Sequence, residues 1–326
     1  VLALACSSQY SSVVPVDQNG DATMNMMLWL DKRGARTQLE QLDGYPRRSD
    51  SWLQLLQRLR IHGLPPLEGG DSLSHIRWVK YARPDIYART HKFLEPMDYL
   101  NMKFTGVFTA NQCTALMFLC TDNRQLNITE YDPKLLSYSA VDKEKLPDLV
   151  PLDSIVGTLL PAIAEEIGLN PATKVITGLN DTQSGGMGTY AFSGNHGGIS
   201  IGSSGVLITH VDFKRTDVRR ALMSMPSPVA DKYFVTAENG IAGGALSHFL
   251  ENIIYADDAL GHLATEDRYA ALSRAIADVP PGCNGVLFLP WLAGSLAPSV
   301  DASMRGGFLN LGLDTSRRHL ARAVME

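Results

Sequence analysis

The stretch Val175–Val211, VITGLNDTQSGGMGTYAFSGNHGGISIGSSGVLITHV, concentrates more chemistry than any other part of this chain. Its opening apolar pair, Val175–Ile176, reads as the end of a strand. A Gly, a lone acid (Asp181) and the small residues Ser184, Gly185, Gly186 and Gly188 follow, as in a turn that opens a helix. The second half, Gly198–Gly205, leads into Val206–Thr209 and reads as a hairpin with Gly-Ser-Ser-Gly at its tip.

Each half has a chemical meaning. A turn rich in Gly and Ser lets backbone N–H groups approach an anion closely, and small hydroxyls can join them. A carboxylate just after a strand, at a helix start, is placed to take a proton from a substrate hydroxyl. Together they suggest phosphoryl transfer to an alcohol, in which catalysis is mostly positioning and charge stabilisation. Blander readings compete. Glycine-rich hairpin tips are common, and an Asp at a helix start often serves only as an N-cap.

Gly178-Leu179-Asn180-Asp181, followed by Ile199-Ser200-Ile201-Gly202-Ser203-Ser204-Gly205, resembles the centre of the FGGY carbohydrate kinases, members of the actin-like ATPase superfamily. The resemblance implies an α/β fold of two ribonuclease-H-like domains with a cleft between them, residues 1–193 binding the sugar and 194–326 the nucleotide. It implies Asp181 as catalytic base and Gly202, Ser203, Ser204 and Gly205 as a phosphate loop, with Ser203 where Thr is usual. It further implies ATP and Mg²⁺ as cofactors, a sugar or polyol as the small-molecule partner, and a homodimer, since dimers are common in the family.

Further blocks support it. The loop after the first strand carries Gln9 and Tyr10, where the family has a Gln and neighbours that touch the sugar. Trp29-Leu30-Asp31-Lys32-Arg33 matches a W-x-D-x-R segment whose members line the sugar site, so Trp29, Asp31 and Asn180 join the substrate-binding set. On chemistry alone Trp29 also reads as a core aromatic, and Asp31 with Arg33 as a surface ion pair. Phe93–Gly106 matches a D-Y-L…L-T-G segment, in which Asp98 reads as structural. Gly285–Phe308 resembles F-L-P-x-L-x-G-E-R-x-P…D-x-x-x-R-G-x-F, except that Ser295-Leu296 replaces Glu-Arg.

Bulk properties are compatible. The 326 residues suffice for two domains, and 45% hydrophobic with 19% charged residues is ordinary for a globular protein. A net charge of −5 argues against a nucleic-acid surface, and no apolar run reaches membrane-span length. Cys6, Cys113, Cys120 and Cys283 lack metal-ligand spacing, so a reducing, cytoplasmic setting without disulfides is expected.

Taken in order, residues 1–31 read as a meander of three strands, a buried Val1–Cys6, then Ser12–Val16 and Met26–Leu30, with Asn19-Gly20 as a hairpin turn. A helix around Trp52, Leu53, Leu55, Leu56 and Leu59 is expected, capped by Ser49 or Asp50. Others cover Ile76–Val79, Leu159–Ile167 with Gly168 as stop, and Asp267–Ile276. Gly285–Pro290 reads as a buried strand. The turn Glu238–Ala245 reads as helix–strand packing in preference to a nucleotide contact.

Val1 is not an initiating Met, and the last residues follow a helical pattern with no stop signal. The family's D-x-G-T-[ST] loop and C-terminal G-G-x-x-x-S segment do not occur here, so the chain reads as an internal portion of a kinase, itself weak or inactive. A ketopentose such as xylulose or ribulose is the expected substrate, with deoxy sugars and aldonates as competitors. A catalytically impaired sugar-binding or regulatory protein is the second reading. A dinucleotide-binding oxidoreductase fares worst, because no G-x-G-x-x-G follows the first strand with an acid about 20 residues on.

Overall fold

The computed structural model describes residues 1–46, 50–66, 68–194, 196–256, 258 and 267–326. It is mixed α/β and divides into two compact units. The first comprises Val1–His196, Thr209–Thr216 and Met223–Val235, the second Gly197–Ile208, Asp217–Leu222 and Thr236–Glu326.

The first unit is built on β1 (Ala3–Ser8), β2 (Val14–Val16), β3 (Lys92–Leu94), β4 (Ile155–Thr158) and β5 (Lys174–Asn180), with helices α1 (Trp52–Ile61), α2 (Ser72–Ala82), α3 (Pro96–Thr105), α4 (Pro161–Ile167) and α5 (Asp181–Gly188). A three-stranded sheet has the order β1-β5-β4, with β1 parallel and β4 antiparallel to the central strand. Helix α3 packs on β1 and β5. It starts with Pro96, whose missing N–H costs nothing in a first turn, and stops at Gly106 in the left-handed region (φ 77°). Asp98 is buried in its first turn, in keeping with a structural role, and burial pushes its carboxyl well above the usual range.

Several expectations fail, each for a tertiary reason. Met26–Leu30 is not a strand. Only Met27 pairs, in a single bridge to Val13, and Leu28, Trp29 and Leu30 are exposed. The partner of β2 is the distant β3, in antiparallel register from Val14↔Leu94 to Val16↔Lys92, so the first strands form no meander. Strand β1 starts at Ala3, and half of its residues are exposed because it ends the order of its sheet; Cys6 alone is buried. The Asn19-Gly20 turn does form. Asp17 Oδ1 accepts the N–H groups of Asn19 (2.9 Å) and Asp21 (3.0 Å), and Gly20 has φ 79°.

The apolar face of α1 is also inverted. Trp52, Leu53 and Leu56 are exposed, while Arg58 and Ile61 are buried. Its N-cap is Ser51, in a capping box with Gln54, and not Asp50; Ser49 lies outside the described residues. Helix α2 forms as expected, capped by Asp71, whose carboxylate accepts the Ser74 N–H at 2.9 Å. All four cysteines are free and buried.

Strands β6 (Gly198–Ile201), β7 (Gly205–Val211), β8 (Thr216–Asp217), β9 (Leu222–Pro226) and β10 (Tyr233–Asn239) form a five-stranded sheet in the order β8-β9-β10-β7-β6. The second unit holds α6 (Gly243–Phe249), α7 (Arg268–Ala275), the pair β11 (Leu287–Leu289) and β12 (Gly307–Leu309), and α8 (Arg317–Met325). Its core joins Phe249 and Leu250 to Leu272, Ile276, Val279 and Ala321. Strand β11 is less buried than its sequence suggests, with Leu287 59% exposed, because its sheet has two strands among the described residues. No helix among the described residues is long and apolar enough to cross a membrane.

Candidate functional site

The first unit holds one half of the candidate chemistry. Strands β1 and β5 run parallel, and their last register pair is Ser8↔Asn180. The residues that follow, Gln9-Tyr10 on one strand and Asp181 on the other, therefore leave the sheet at the same carboxyl end. Open α/β sheets bind ligands at such ends.

Asn180, not Asp181, caps helix α5. Asn180 is buried, and its Oδ1 accepts the Gln183 N–H at 2.8 Å. Asp181 is the first residue of the helix and is exposed. Its Oδ1 accepts the Thr182 N–H at 2.7 Å and the Thr182 hydroxyl at 3.3 Å. Capping thus does not explain the acid at 181. Gly178 serves packing, since a Cβ there would lie 3.0 Å from the Cys6 carbonyl and 3.1 Å from Met97.

Sequence reasoning overlooked Ser7 in this half. Its Oγ lies 2.8 Å from Ser184 Oγ, which donates to the Asn180 carbonyl at 2.9 Å, so a hydroxyl pair ties β1 to α5. The only available signal was a Ser next to the candidate loop.

Gln9 and Tyr10 are half-buried. Trp29 and Asp31 lie on a separate segment. Trp29 is 49% exposed and so is not a core aromatic. The Asp31 carboxylate is engaged by Arg33, with Nη2 at 2.6 Å, and that guanidinium lies 4.2 Å over the Trp78 ring. Hydrogen bonding from Arg33 holds the Asp31 carboxyl below its ordinary value. The Asp31 carbonyl faces Nε2 of the buried His75 at 3.0 Å.

The second unit holds the other half. Strands β6 and β7 form the expected hairpin, closed by Ile201↔Gly205, with Gly202, Ser203 and Ser204 at an exposed tip. The tip is seated on the start of α6. Ala242 and Gly244 N–H groups donate to the Ser203 carbonyl at 2.8 and 3.2 Å, and Gly243 N–H donates to the Gly202 carbonyl at 2.8 Å. The glycines at 243 and 244 are therefore packing residues, as read. Within the tip, Gly202 N–H donates to the Ser204 carbonyl at 2.9 Å, so the donors left over are those of the two serines. The N–H groups and hydroxyls of Ser203 and Ser204 make no hydrogen bond to another described residue. Such a donor set fits the oxygens of a phosphate chain.

A Cβ on Gly243 would stand 2.6 Å from the Gly202 carbonyl oxygen. Gly243→Val should therefore destabilise the chain by about 1–3 kcal/mol, read as a lower urea midpoint. An unchanged midpoint would mean that the tip is not held on the helix start.

Among the described residues no group of three or more His, Cys, Asp and Glu side chains is arranged to hold a metal ion. Mg²⁺ carried on nucleotide phosphates with one or two carboxylates needs no such cage. Farther along, Asp301 Oδ1 accepts the Ser303 N–H (2.8 Å) and hydroxyl (2.6 Å). Arg305 donates to the carbonyls of Ala302 (3.0 Å) and Met304 (2.7 Å), so each fixes the loop separately.

Residues 1–188 match the N-terminal domain of the FGGY family of carbohydrate kinases, and residues 197–326 match its C-terminal domain. The chain is 26% identical to the xylulose kinase of Bacillus subtilis (strain 168) and 25% identical to the gluconokinase of the same organism. Each match covers 99% of this chain and 60% of the relative. The chain thus spans about 60% of the length of these curated relatives. The ligand-bound xylulose kinase from Lactobacillus acidophilus superposes with a TM-score of 0.78 at 21% identity, over 100% of this chain and 62% of that one. That likeness carries the fold, which is the actin-like ATPase fold of FGGY sugar kinases.

Proposed function

The chain belongs to the FGGY family of carbohydrate kinases, and from that premise we propose that the protein containing it transfers the γ-phosphoryl group of ATP to a hydroxyl of a small sugar or polyol. The observation that carries this reading is Asp181, an exposed carboxylate at a helix start whose capping work is done by Asn180. Asp181 takes the proton of the acceptor hydroxyl as the hydroxyl oxygen bonds to the γ-phosphorus and the bond from that phosphorus to the β-phosphate oxygen breaks, releasing ADP. Gln9, Tyr10, Trp29, Asp31 and Asn180 bind and orient the acceptor. The N–H groups and hydroxyls of Ser203 and Ser204, in the Gly202–Gly205 turn, bind phosphate oxygens and offset the charge carried on them. ATP with Mg²⁺ supplies the phosphoryl group and charge neutralisation. The division of labour is 1–193 for the acceptor and 194–326 for the nucleotide, and the family matches at 1–188 and 197–326 support it.

A ketopentose such as xylulose is the acceptor we favour, and the similarity to xylulose kinases supports it. The similarity to gluconokinases makes an aldonate the main competitor. Ser295-Leu296, where the family pattern has Glu-Arg, favours a second reading in which sugar binding survives and transfer is impaired.

A thermal-shift panel of ketopentoses, hexuloses, glycerol and aldonates, without ATP, tests the acceptor half. A ligand at a hundredfold its dissociation constant adds about 2.7 kcal/mol, a readable shift. One responding sugar names the class. A cooperative melt unmoved by every member of the panel would sink the reading.

A further inference from the structure

The loop that follows β1 is held by a residue to which the function above gives no part. Glu95 is fully buried, just before α3, in Phe93-Leu94-Glu95-Pro96-Met97. Its Oε2 accepts the Ser12 N–H at 3.1 Å, and its Oε1 accepts the hydroxyl of Ser72, the first residue of α2. Ser11, between Tyr10 and Ser12, has φ 60°, a left-handed conformation that is unfavourable for a residue with a Cβ. Its Oγ donates to the Gly70 carbonyl at 2.6 Å. A strained reversal is thus pinned at two adjacent residues, both to the turn that opens α2. The same helix holds the Asp31 segment through His75 and Trp78.

We propose that Glu95 is a positioning residue for sugar binding: through Ser12 and Ser72 it holds the left-handed turn at Ser11, and that turn sets where Gln9 and Tyr10 meet the acceptor. This rests on the reading of Gln9 and Tyr10 as acceptor contacts. A buried carboxyl group is costly to keep unless its hydrogen bonds are met. An apolar residue would fill the same space, but it would leave the Ser12 N–H and the Ser72 hydroxyl unpaired. Burial pushes the Glu95 carboxyl well above its ordinary value, so the neutral acid is the form to mimic. Glutamine has the same shape, accepts from Ser12 through its oxygen and donates to Ser72 through its amide.

The test uses the full-length protein with Glu95→Ala, Glu95→Gln and Ser72→Ala, and follows the KM for sugar and for ATP separately. Glu95→Ala should raise the sugar KM by about fivefold or more with the ATP KM nearly unchanged, the lower bound being set by a buried donor left unpaired. Glu95→Gln should restore the sugar KM to near the wild-type value. A general loss of structure would move both constants and would not be rescued. A folded Glu95→Ala protein with an unchanged sugar KM overturns the proposal, and so does a rise shared equally by sugar and ATP. If Glu95→Ala does not fold, Ser72→Ala decides: a raised sugar KM supports the proposal and an unchanged one overturns it. Wild-type protein that uses no sugar would instead overturn the acceptor-site reading and this role with it. Hydrogen exchange over residues 9–13, faster in Glu95→Ala but not in Glu95→Gln, would then show that the clamp holds the loop for another purpose.

Discussion

Asp181→Asn should lower turnover by about 10²–10⁴-fold, the contribution of a positioned general base. The substitution keeps the shape of the side chain and removes its ability to take a proton. It disturbs little else, because Asp181 is exposed and its hydrogen bonds go to its neighbour Thr182. The helix keeps its cap on Asn180 and forgoes only the attraction between a carboxylate and a helix N-terminus, about 0.3–1 kcal/mol. Steady-state turnover of the full-length protein, with sugar at saturation and a parallel melt, measures both quantities. Near wild-type turnover would remove Asp181 from the mechanism. Loss of sugar binding in step with turnover would make it a binding group instead.

The largest effect on stability should come from Asp50→Ala, at about 3–5 kcal/mol. Asp50 and Arg77 form a buried ion pair, with Nη1 2.6 Å from Oδ2 and side-chain exposures of 9% and 1%. Arg77 spends its other donors on the carbonyls of Ser139 and Tyr138, both at 2.8 Å. Removing the carboxylate takes away the one acid that pairs with this guanidinium among the described residues. A second buried cation makes matters worse. Arg58 is fully buried, donates to the Leu119 carbonyl, and has Nε and Nη2 without a hydrogen-bond partner among the described residues. Burial lowers its pKa, and the charge of Asp50 acts in the opposite direction.

A loss of that size is a large share of the about 5–15 kcal/mol that holds a typical domain together. Asp50 also has φ 57°, a conformation that Asn accepts more readily than Ala, so Asp50→Asn separates the lost charge from backbone strain. Replacing both partners together, Asp50→Leu with Arg77→Met, should cost far less than Asp50→Ala alone, because no charge is then left buried. Urea midpoints for the three variants measure this. Asp50→Ala within about 1 kcal/mol of wild type would mean that water already reaches the pair.

Much of the first unit could be read from short-range signals. Gly106 and Gly168 end their helices in the left-handed region as their spacing suggests, with φ 77° and 68°. Asp17-Gln18-Asn19-Gly20 makes its turn because every partner lies within a few residues. The hairpin β6–β7 and its Gly-Ser-Ser-Gly tip are local for the same reason. The same kind of signal failed at Trp52, Leu53 and Leu56. Apolar periodicity reports that a helix has a face but not which face finds a partner. Here the buried positions include Arg58, drawn inside by the Leu119 carbonyl.

The sequence by itself determined the family, the order of most elements, Asp181 as the candidate base and the 202–205 turn as the candidate phosphate cradle. Each of those is a matter of residue type at fixed spacing along the chain. Tertiary structure alone decided that β2 pairs with β3. It also decided that Gly243 seats the hairpin tip, and that Glu95 holds the loop behind Gln9 and Tyr10. Most of those facts are contacts between residues far apart in the chain. Hydrogen-bond geometry and burial create them only once the backbone has closed, and no local pattern encodes them.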